Sequence, residues 1–201
     1  MKRILALCLT VGATLPATHA ISGEIRERTT FFMVRGKSFD DLYRELGMKG
    51  PDLGQGERHA GSTDVAFKAN ATYKPTTGGC GIAHAEVRLD LHTTLPRWSG
   101  PKNGSRETQI LWKILRDDIA THEAEHSRIA KSWLKRMEAT IRSLKPQPSC
   151  ARMEALVNSE TRTLLKQHDD EQLAFDAAES KRIDARLERK INQQLHRVAS
   201  R

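Results

Sequence analysis

Two long helical segments, separated by a proline-containing turn, dominate the second half of this 201-residue chain. Over residues 111–141, apolar side chains recur every three or four positions, which is the spacing of one buried helix face. Ser105 suits the N-cap of this helix, and Pro146 and Pro148 end it. A second helix is predicted from near Cys150, with a pattern that can continue into the C-terminus. Because the turn is short, the two helices are expected to pack antiparallel.

The first half of the chain predicts strands. Residues 28–35 and 64–73 are rich in β-branched and aromatic side chains, and residues 82–95 alternate apolar with polar positions. Ser38 suits the N-cap of a short helix that Gly47, Gly50 and Pro51 stop, and residues 51–62 form a loop. The fold class is therefore α+β, with a small N-terminal sheet and a short helix followed by the two long helices. If strand 82–95 lies at a sheet edge, it can hold an extended peptide by strand addition.

The first 20 residues have the features of a secretory signal peptide. Lys2 and Arg3 precede an apolar run over residues 4–15, and Thr18 and Ala20 suit a small-residue cleavage site. The alternative is a short membrane anchor. Export predicts a periplasmic or secreted protein, with a domain over residues 21–180, a basic helical tail over 181–201, and no transmembrane span in the mature chain.

Export bears on the two cysteines of the mature chain, and the charge of that chain is concentrated in its tail. Cys80 and Cys150 remain after cleavage, and an oxidising compartment favours a disulfide between them; the alternative is two free thiols. The net charge of +8 is uneven, because residues 181–201 hold seven Lys and Arg against two Asp and Glu. This tail is either a solvated helix end or a contact for an anionic envelope surface. Nucleic-acid binding is not expected, since the rest of the mature chain is nearly neutral.

The segment His122-Glu123-Ala124-Glu125-His126 is the main chemical signal. On a helix, positions i and i+4 lie on the same face, so His122 and His126 can share one metal ion while Glu123 reaches a water molecule beside it. Both histidines occupy the apolar stripe of the first long helix, where their ring nitrogens need partners. A metal ion supplies such a partner. The alternative is a pair of core histidines that are hydrogen-bonded to carboxylates.

A catalytic zinc site requires a third protein ligand and an open position. If the two helices turn near Gln147, the histidine pair lies level with about residues 168–172 of the second helix. Several candidate ligands fall near that level: His168, Asp169, Asp170, Glu171 and Asp176. Spacing alone does not choose among them.

Several segments carry a resemblance to a known family. They read FFMVRGKSFDDLYRELGMKGP, GERHAGSTDVAFKANATY, GGCGIAHAEVRLDLHTTLPRW, HEAEH and AFDAAESK, and together they cover nearly all of residues 28–182. The chain resembles a bacterial family of unknown function that is described as predicted secreted Zn-dependent proteases. The resemblance implies a zincin-like domain with Zn²⁺ as its cofactor.

The last motif of that family is similar to Tyr-Asp-x-x-Thr-x-His-Gly. Aligned with it, Asp176 matches the acid, which implies that Asp176 is the third ligand. This chain departs from the motif at Phe175, Glu179, Lys181 and Arg182, which stand at the Tyr, Thr, His and Gly positions. Phe175 has no hydroxyl to donate to an oxyanion, so the departures concern activity more than metal binding.

These observations predict a secreted zinc metallopeptidase-like protein that hydrolyses peptides or proteins. His122, His126 and Asp176 bind zinc, and Glu123 is the general base that activates water. The reserve ligands, for a register error of about one turn, are His168, Glu171 and Glu179. The alternative is a non-catalytic envelope protein with a structural or vestigial metal site and a basic interaction tail. The sequence has no GxSxG segment, P-loop or dinucleotide fingerprint, so nothing local supports those other enzyme classes.

Overall fold

A computed structural model describes residues 21–199 of the chain, apart from residues 55 and 57. The predicted signal peptide lies outside the described residues. The elements are β1 (Ile21–Val34), α1 (Phe39–Lys49), β2 (Ser62–Thr76), β3 (Gly79–Trp98), a 3-10 turn (Pro101–Asn103), α2 (Arg106–Ser143), α3 (Cys150–Ser180) and α4 (Ile183–Ala199). The predicted α+β class is confirmed: one small sheet precedes a set of helices.

The sheet has the strand order β1-β3-β2, with β1 parallel and β2 antiparallel to β3. The condition under which residues 82–95 could hold an extended peptide is not met, because they lie in β3, which pairs on both sides and is therefore not an edge strand. The predicted period-two alternation is confirmed, since Val87, Leu89 and Leu91 are buried on one face. Alternation reveals which face of a strand is buried but not which strand lies at the edge. Among the described strands, β1 and β2 lie at the two edges of the sheet.

Helix α2 packs across the sheet and divides the core. In its second half, Ala130, Leu134 and Ile141 pack with the inward-facing side chains of β3. In its first half, Trp112, Leu115 and Ile119 form a second cluster that includes residues at the end of β1, in α1 and at the end of β3. A third cluster joins α2 to α3. Because α2 is buried on several sides, its side chains are held firmly along most of its length.

Both predicted N-caps are present. Ser38 forms a capping box with Asp41 at the start of α1, and the Ser105 side chain accepts a hydrogen bond from the Thr108 amide at the start of α2. The prediction that Gly47 helps to stop α1 is wrong, because the helix continues to Lys49. A Cβ at Gly47 would contact nothing, so glycine there costs only its propensity, about 1 kcal/mol.

The predicted Cys80–Cys150 disulfide is present, with the two Cα atoms 4.9 Å apart. It joins the start of β3 to the start of α3. Two backbone hydrogen bonds strengthen this junction: the Cys80 amide donates to the Gln147 carbonyl at 2.7 Å, and the Gln147 amide donates back at 2.9 Å. The turn between α2 and α3 is therefore attached to the sheet, which sets the relative height of the two helices.

The basic C-terminus forms a separate helix. α3 ends at Ser180, and α4 begins at Ile183 and packs against α2 rather than continuing α3. Leu187 packs against the core, while Arg186 and Lys190 form ion pairs with Asp118 of α2. Two cationic side chains of the predicted tail thus form ion pairs within the protein. Contact of the tail with an anionic surface stays a prediction. Across the described residues, no helix combines the length and apolarity that a membrane span requires.

Candidate metal centre

The site lies between facing stripes of α2 and α3. His122 and His126 are one turn apart on α2, and Gln172 and Asp176 are one turn apart on α3. His122 contacts Asp176, and Trp133, farther along α2, contacts the earlier residue Glu171 of α3, so the helices run antiparallel. The level expected from a turn at Gln147 was off by about one turn. The sequence argument therefore identified the right stretch of α3 but did not select the contacting residue.

Two imidazoles and one carboxylate converge at this level. Nε2 of His122 and Nε2 of His126 are 3.1 Å apart, and Oδ1 of Asp176 lies 3.3 Å from the first and 3.0 Å from the second. Bonds of the length found at zinc would place tetrahedral ligand atoms roughly 3.3–3.5 Å apart. The three donor atoms thus fit a single small metal ion, and two nitrogens with one oxygen are a ligand set that suits zinc.

Phe175 covers the histidine pair. Its ring stacks on His122 with centroids 4.9 Å apart and meets His126 edge-on at 5.0 Å. Burial lowers the pKa of His122, and a charge on neighbouring His126 lowers it further. A histidine with a lowered pKa is neutral at pH 7, and only the neutral ring has a free nitrogen for a metal. The surroundings of the pair therefore favour the form that binds metal.

Glu123 lies beside the pair and is only 4% exposed. Its Oε2 accepts a hydrogen bond of 2.8 Å from the hydroxyl of Thr63 in β2. A Cβ on Gly61, just before β2, would approach Oε1 of Glu123 and Cγ2 of Ile119 to 2.9 Å each, so a larger residue there would press on α2. Burial raises the pKa of Glu123, although the Thr63 hydrogen bond and the charge of His126 oppose that effect. A carboxylate with a raised pKa is a better proton acceptor.

The three reserve ligands have other partners. His168 is hydrogen-bonded to Gln172 and to Asp169, Glu171 accepts a hydrogen bond from the indole of Trp133, and Glu179 accepts one from Arg186. Among the described residues, the group of side chains that can share a metal is His122, His126 and Asp176.

The three candidate ligands and Glu123 line one cavity of about 620 Å³. Its walls come from the loop before β2, the start of β2, the middle of α2, the end of α3 and the first residue of α4. Apolar side chains on the walls include Leu53, Ala60, Val65, Ile119 and Ile183. His59, for which the sequence suggested no role, also lines the cavity. The described lining residues include no Arg, Lys or Tyr.

Residues 29–198 match a family model with the description "Bacterial protein of unknown function (DUF922)". The chain belongs to this family. No curated protein and no solved structure matches the chain. The DUF922 match includes most of the basic helical tail that the sequence predicts over residues 181–201.

The departures of this DUF922 chain from the expected last motif have structural counterparts. Phe175 packs on the histidines without a hydroxyl, and Glu179 lies on the cavity wall bound to Arg186. Lys181 is the exposed C-cap of α3. None of the three supplies a donor to the metal-competent group in the described structure.

Sequence reasoning missed two residues that contact the centre. Gln172 contacts His126 and lies four positions from both His168 and Asp176, so the stripe 168–172–176 was readable as one helix face. Thr63 lies in a strand 60 residues before Glu123 and had no local signal. Only the packing of β2 against α2 reveals its role.

Proposed function

We propose that this protein is an exported zinc-dependent metallopeptidase-like hydrolase. The observation that carries the proposal is the convergence of His122, His126 and Asp176 on one point, with Glu123 in the same cavity. Three protein ligands that leave a position open are typical of catalytic rather than structural zinc sites. Zinc bound there would polarise a carbonyl and make a water molecule easier to deprotonate.

Other residues around the site would transfer the proton, position the base and shield the imidazoles. Glu123 accepts the proton from the attacking water, because its raised pKa and burial suit a general base. The Thr63 hydroxyl holds Oε2 of Glu123 in place. Phe175 shields the two imidazoles from water on one side. The same Glu123 then returns the proton to the leaving amine.

The substrate proposed is an extended peptide or protein segment. The start of β2, from Ser62 to Val65, lines the cavity beside Glu123, and β2 is an edge strand among the described strands. Strand addition, which the sequence suggested for residues 82–95, is therefore proposed for β2 instead. The signal-peptide features of residues 1–20 support a periplasmic or extracellular substrate.

Metal binding and turnover test the proposal separately. The purified protein is expected to bind about one zinc ion per chain, and His122→Ala, His126→Ala or Asp176→Ala should weaken that binding strongly. Glu123→Gln should retain zinc but lose cleavage of a peptide library, because an amide does not accept the proton of water. Glu125→Gln is the matched control, since Glu125 lies in the same motif but pairs with Arg128.

The second candidate is a non-catalytic envelope protein with a structural or vestigial metal site. Phe175 favours it, as does the absence of Arg, Lys and Tyr from the described cavity lining, because these are common groups for stabilising an oxyanion. Stoichiometric zinc with no turnover of any library peptide would support this candidate. A protein that takes up no zinc and cleaves no library peptide would contradict both candidates.

A further inference from the structure

We propose that Gln172, His168 and Asp169 form a directional hydrogen-bonded chain that fixes the ring orientation and tautomer of His126. The inference rests on the proposed metal site for its purpose, but its geometry stands without a metal. Gln172 and His168 are positioning residues in this scheme, since neither belongs to the metal-competent group. The chain runs from solvent, at Asp169, to the histidine pair.

The orientation of the Gln172 amide is set by a backbone group. Nε2 of Gln172 lies 3.2 Å from the carbonyl oxygen of His126, and a carbonyl can only accept a hydrogen bond. The NH2 group must therefore face that carbonyl. The other end of the amide, Oε1, then lies 2.6 Å from Nδ1 of His126.

This orientation determines the tautomer of His126. Oε1 of Gln172 is an acceptor, so Nδ1 of His126 must carry the hydrogen. In the neutral ring, Nε2 is then left with its lone pair, and Nε2 is the atom that faces Asp176 and His122. A ligand histidine whose second nitrogen donates to a protein acceptor is the usual arrangement around metals in proteins.

The same argument extends to His168. The second hydrogen of the Gln172 amide points to Nε2 of His168 at 2.9 Å, so that nitrogen must accept. Nδ1 of His168 then carries the hydrogen and donates to the Asp169 carboxylate at 2.9 Å. All donor directions therefore follow from the single anchor at the His126 carbonyl.

The burial of His168 supports a dedicated role. The residue is 4% exposed, and Phe67 of β2 meets its ring edge-on with centroids 5.1 Å apart. A buried imidazole is costly unless both nitrogens are hydrogen-bonded, and here both are. Asp169 lies at the opposite extreme, because its side chain is 72% exposed. The chain thus leads from an exposed carboxylate through a buried ring to His126.

The first experiment reads the tautomers directly. Long-range proton–nitrogen correlation spectra of 15N-histidine-labelled, metal-free protein, recorded above the ordinary histidine pKa, distinguish Nδ1–H from Nε2–H rings. Wild-type His126 and His168 should both be Nδ1–H. Gln172→Leu should release His126 into a mixture of tautomers, whereas Gln172→Glu should preserve Nδ1–H because a carboxylate also accepts. Gln167→Leu, an exposed glutamine on the same helix, is the matched control.

The second experiment measures zinc affinity by competition with a chelator. Gln172→Leu should lower the affinity roughly 10- to 100-fold, the usual effect of losing such a partner, and Gln172→Glu should recover part of it. Wild-type His126 protonated at Nε2, or Gln172→Leu with wild-type tautomers and affinity, would overturn the inference. Wild-type protein with the expected tautomers but no zinc uptake would refute the proposed function and leave the hydrogen-bonded chain standing.

Discussion

Arg186 of α4 donates two hydrogen bonds to the carboxylate of Asp118, one turn before His122 on α2. The distances are 2.9 Å from Nε to Oδ1 and 3.0 Å from a terminal nitrogen to Oδ2, and Lys190 adds a third contact at 2.7 Å. A further nitrogen of Arg186 donates to Glu179 of α3. One guanidinium therefore links the C-terminal helix to both helices of the candidate metal centre.

Removing this guanidinium should destabilise the protein. Asp118 is 3% exposed on its side chain, and Arg186→Leu would leave its charge buried with only Lys190 as partner. Breaking a buried pair from one side costs on the order of 3 kcal/mol. Urea unfolding followed by circular dichroism measures the change, with Arg189→Leu, an exposed residue of the same helix, as control. Equal stability of the two variants would contradict this role.

The same cluster predicts a pH dependence. Burial alone would raise the pKa of Asp118, but the hydrogen bonds and charges of Arg186 and Lys190 outweigh it, so the pKa is lower than usual in the folded state. A depressed pKa contributes stability that is present above the unfolded value, about 3.9, and is lost as pH falls through the folded value. The stability difference between wild type and Asp118→Asn should therefore be constant near neutral pH and shrink below about pH 4. Unfolding curves over this range, with a constant difference throughout, would contradict it.

The parts of the fold that sequence predicted were those with a local signal. The apolar stripe of α2, its Ser105 cap and the alternation in β3 each depend on residues a few positions apart. Strand order has no such signal, which is why the sequence left open whether β3 lies at an edge. The return of α4 onto α2 was also unpredicted, because it depends on Asp118 and Arg186, which are far apart in sequence.

In the candidate site, too, features with a local sequence signal were predicted and features without one were not. The spacing of His122 and His126 predicted a shared face, and the family motif singled out Asp176, whose oxygen lies beside both rings. The height of α3 against α2 was about one turn off, because the exact turn between the helices depends on the Cys80–Gln147 pairing. Helical spacing places Gln172 on the same face as Asp176, but glutamine does not mark a metal site, and Thr63 has no local signal at all.

Thr63→Val should lower peptidase activity without changing zinc affinity. The substitution keeps the shape of the side chain but removes the hydroxyl that donates to Oε2 of Glu123. A general base that is no longer held in position loses about 10-fold or more in kcat. Zinc affinity should remain near wild type, because the Thr63 hydroxyl is hydrogen-bonded to Glu123 and Thr93 and to none of the three proposed ligands. Thr94→Val, which removes a hydroxyl contact to Thr30 in the same sheet, is the control.

Removing the disulfide should lower stability more than activity. The bond closes a loop with a sequence separation of 70 residues, for which the chain-entropy model gives roughly 4 kcal/mol. The double variant Cys80→Ser, Cys150→Ser retains the backbone hydrogen bonds to Gln147, so the native register of α2 and α3 should persist. Thermal unfolding of the oxidised wild type, the reduced wild type and the variant measures the loss. Reduced wild type as stable as oxidised wild type would contradict the prediction.

Phe175→Tyr tests whether one missing hydroxyl limits turnover. The ring already packs on His122 and His126, and a tyrosine ring is expected to keep these contacts. A donor aimed at the developing oxyanion is worth about 100-fold in kcat where it is well placed. We therefore expect Phe175→Tyr to raise kcat while zinc affinity stays constant, and Phe39→Tyr, on α1, to change neither. If Phe175→Tyr binds zinc normally and gains no activity, then the difference from the family motif is not what sets the rate of this protein.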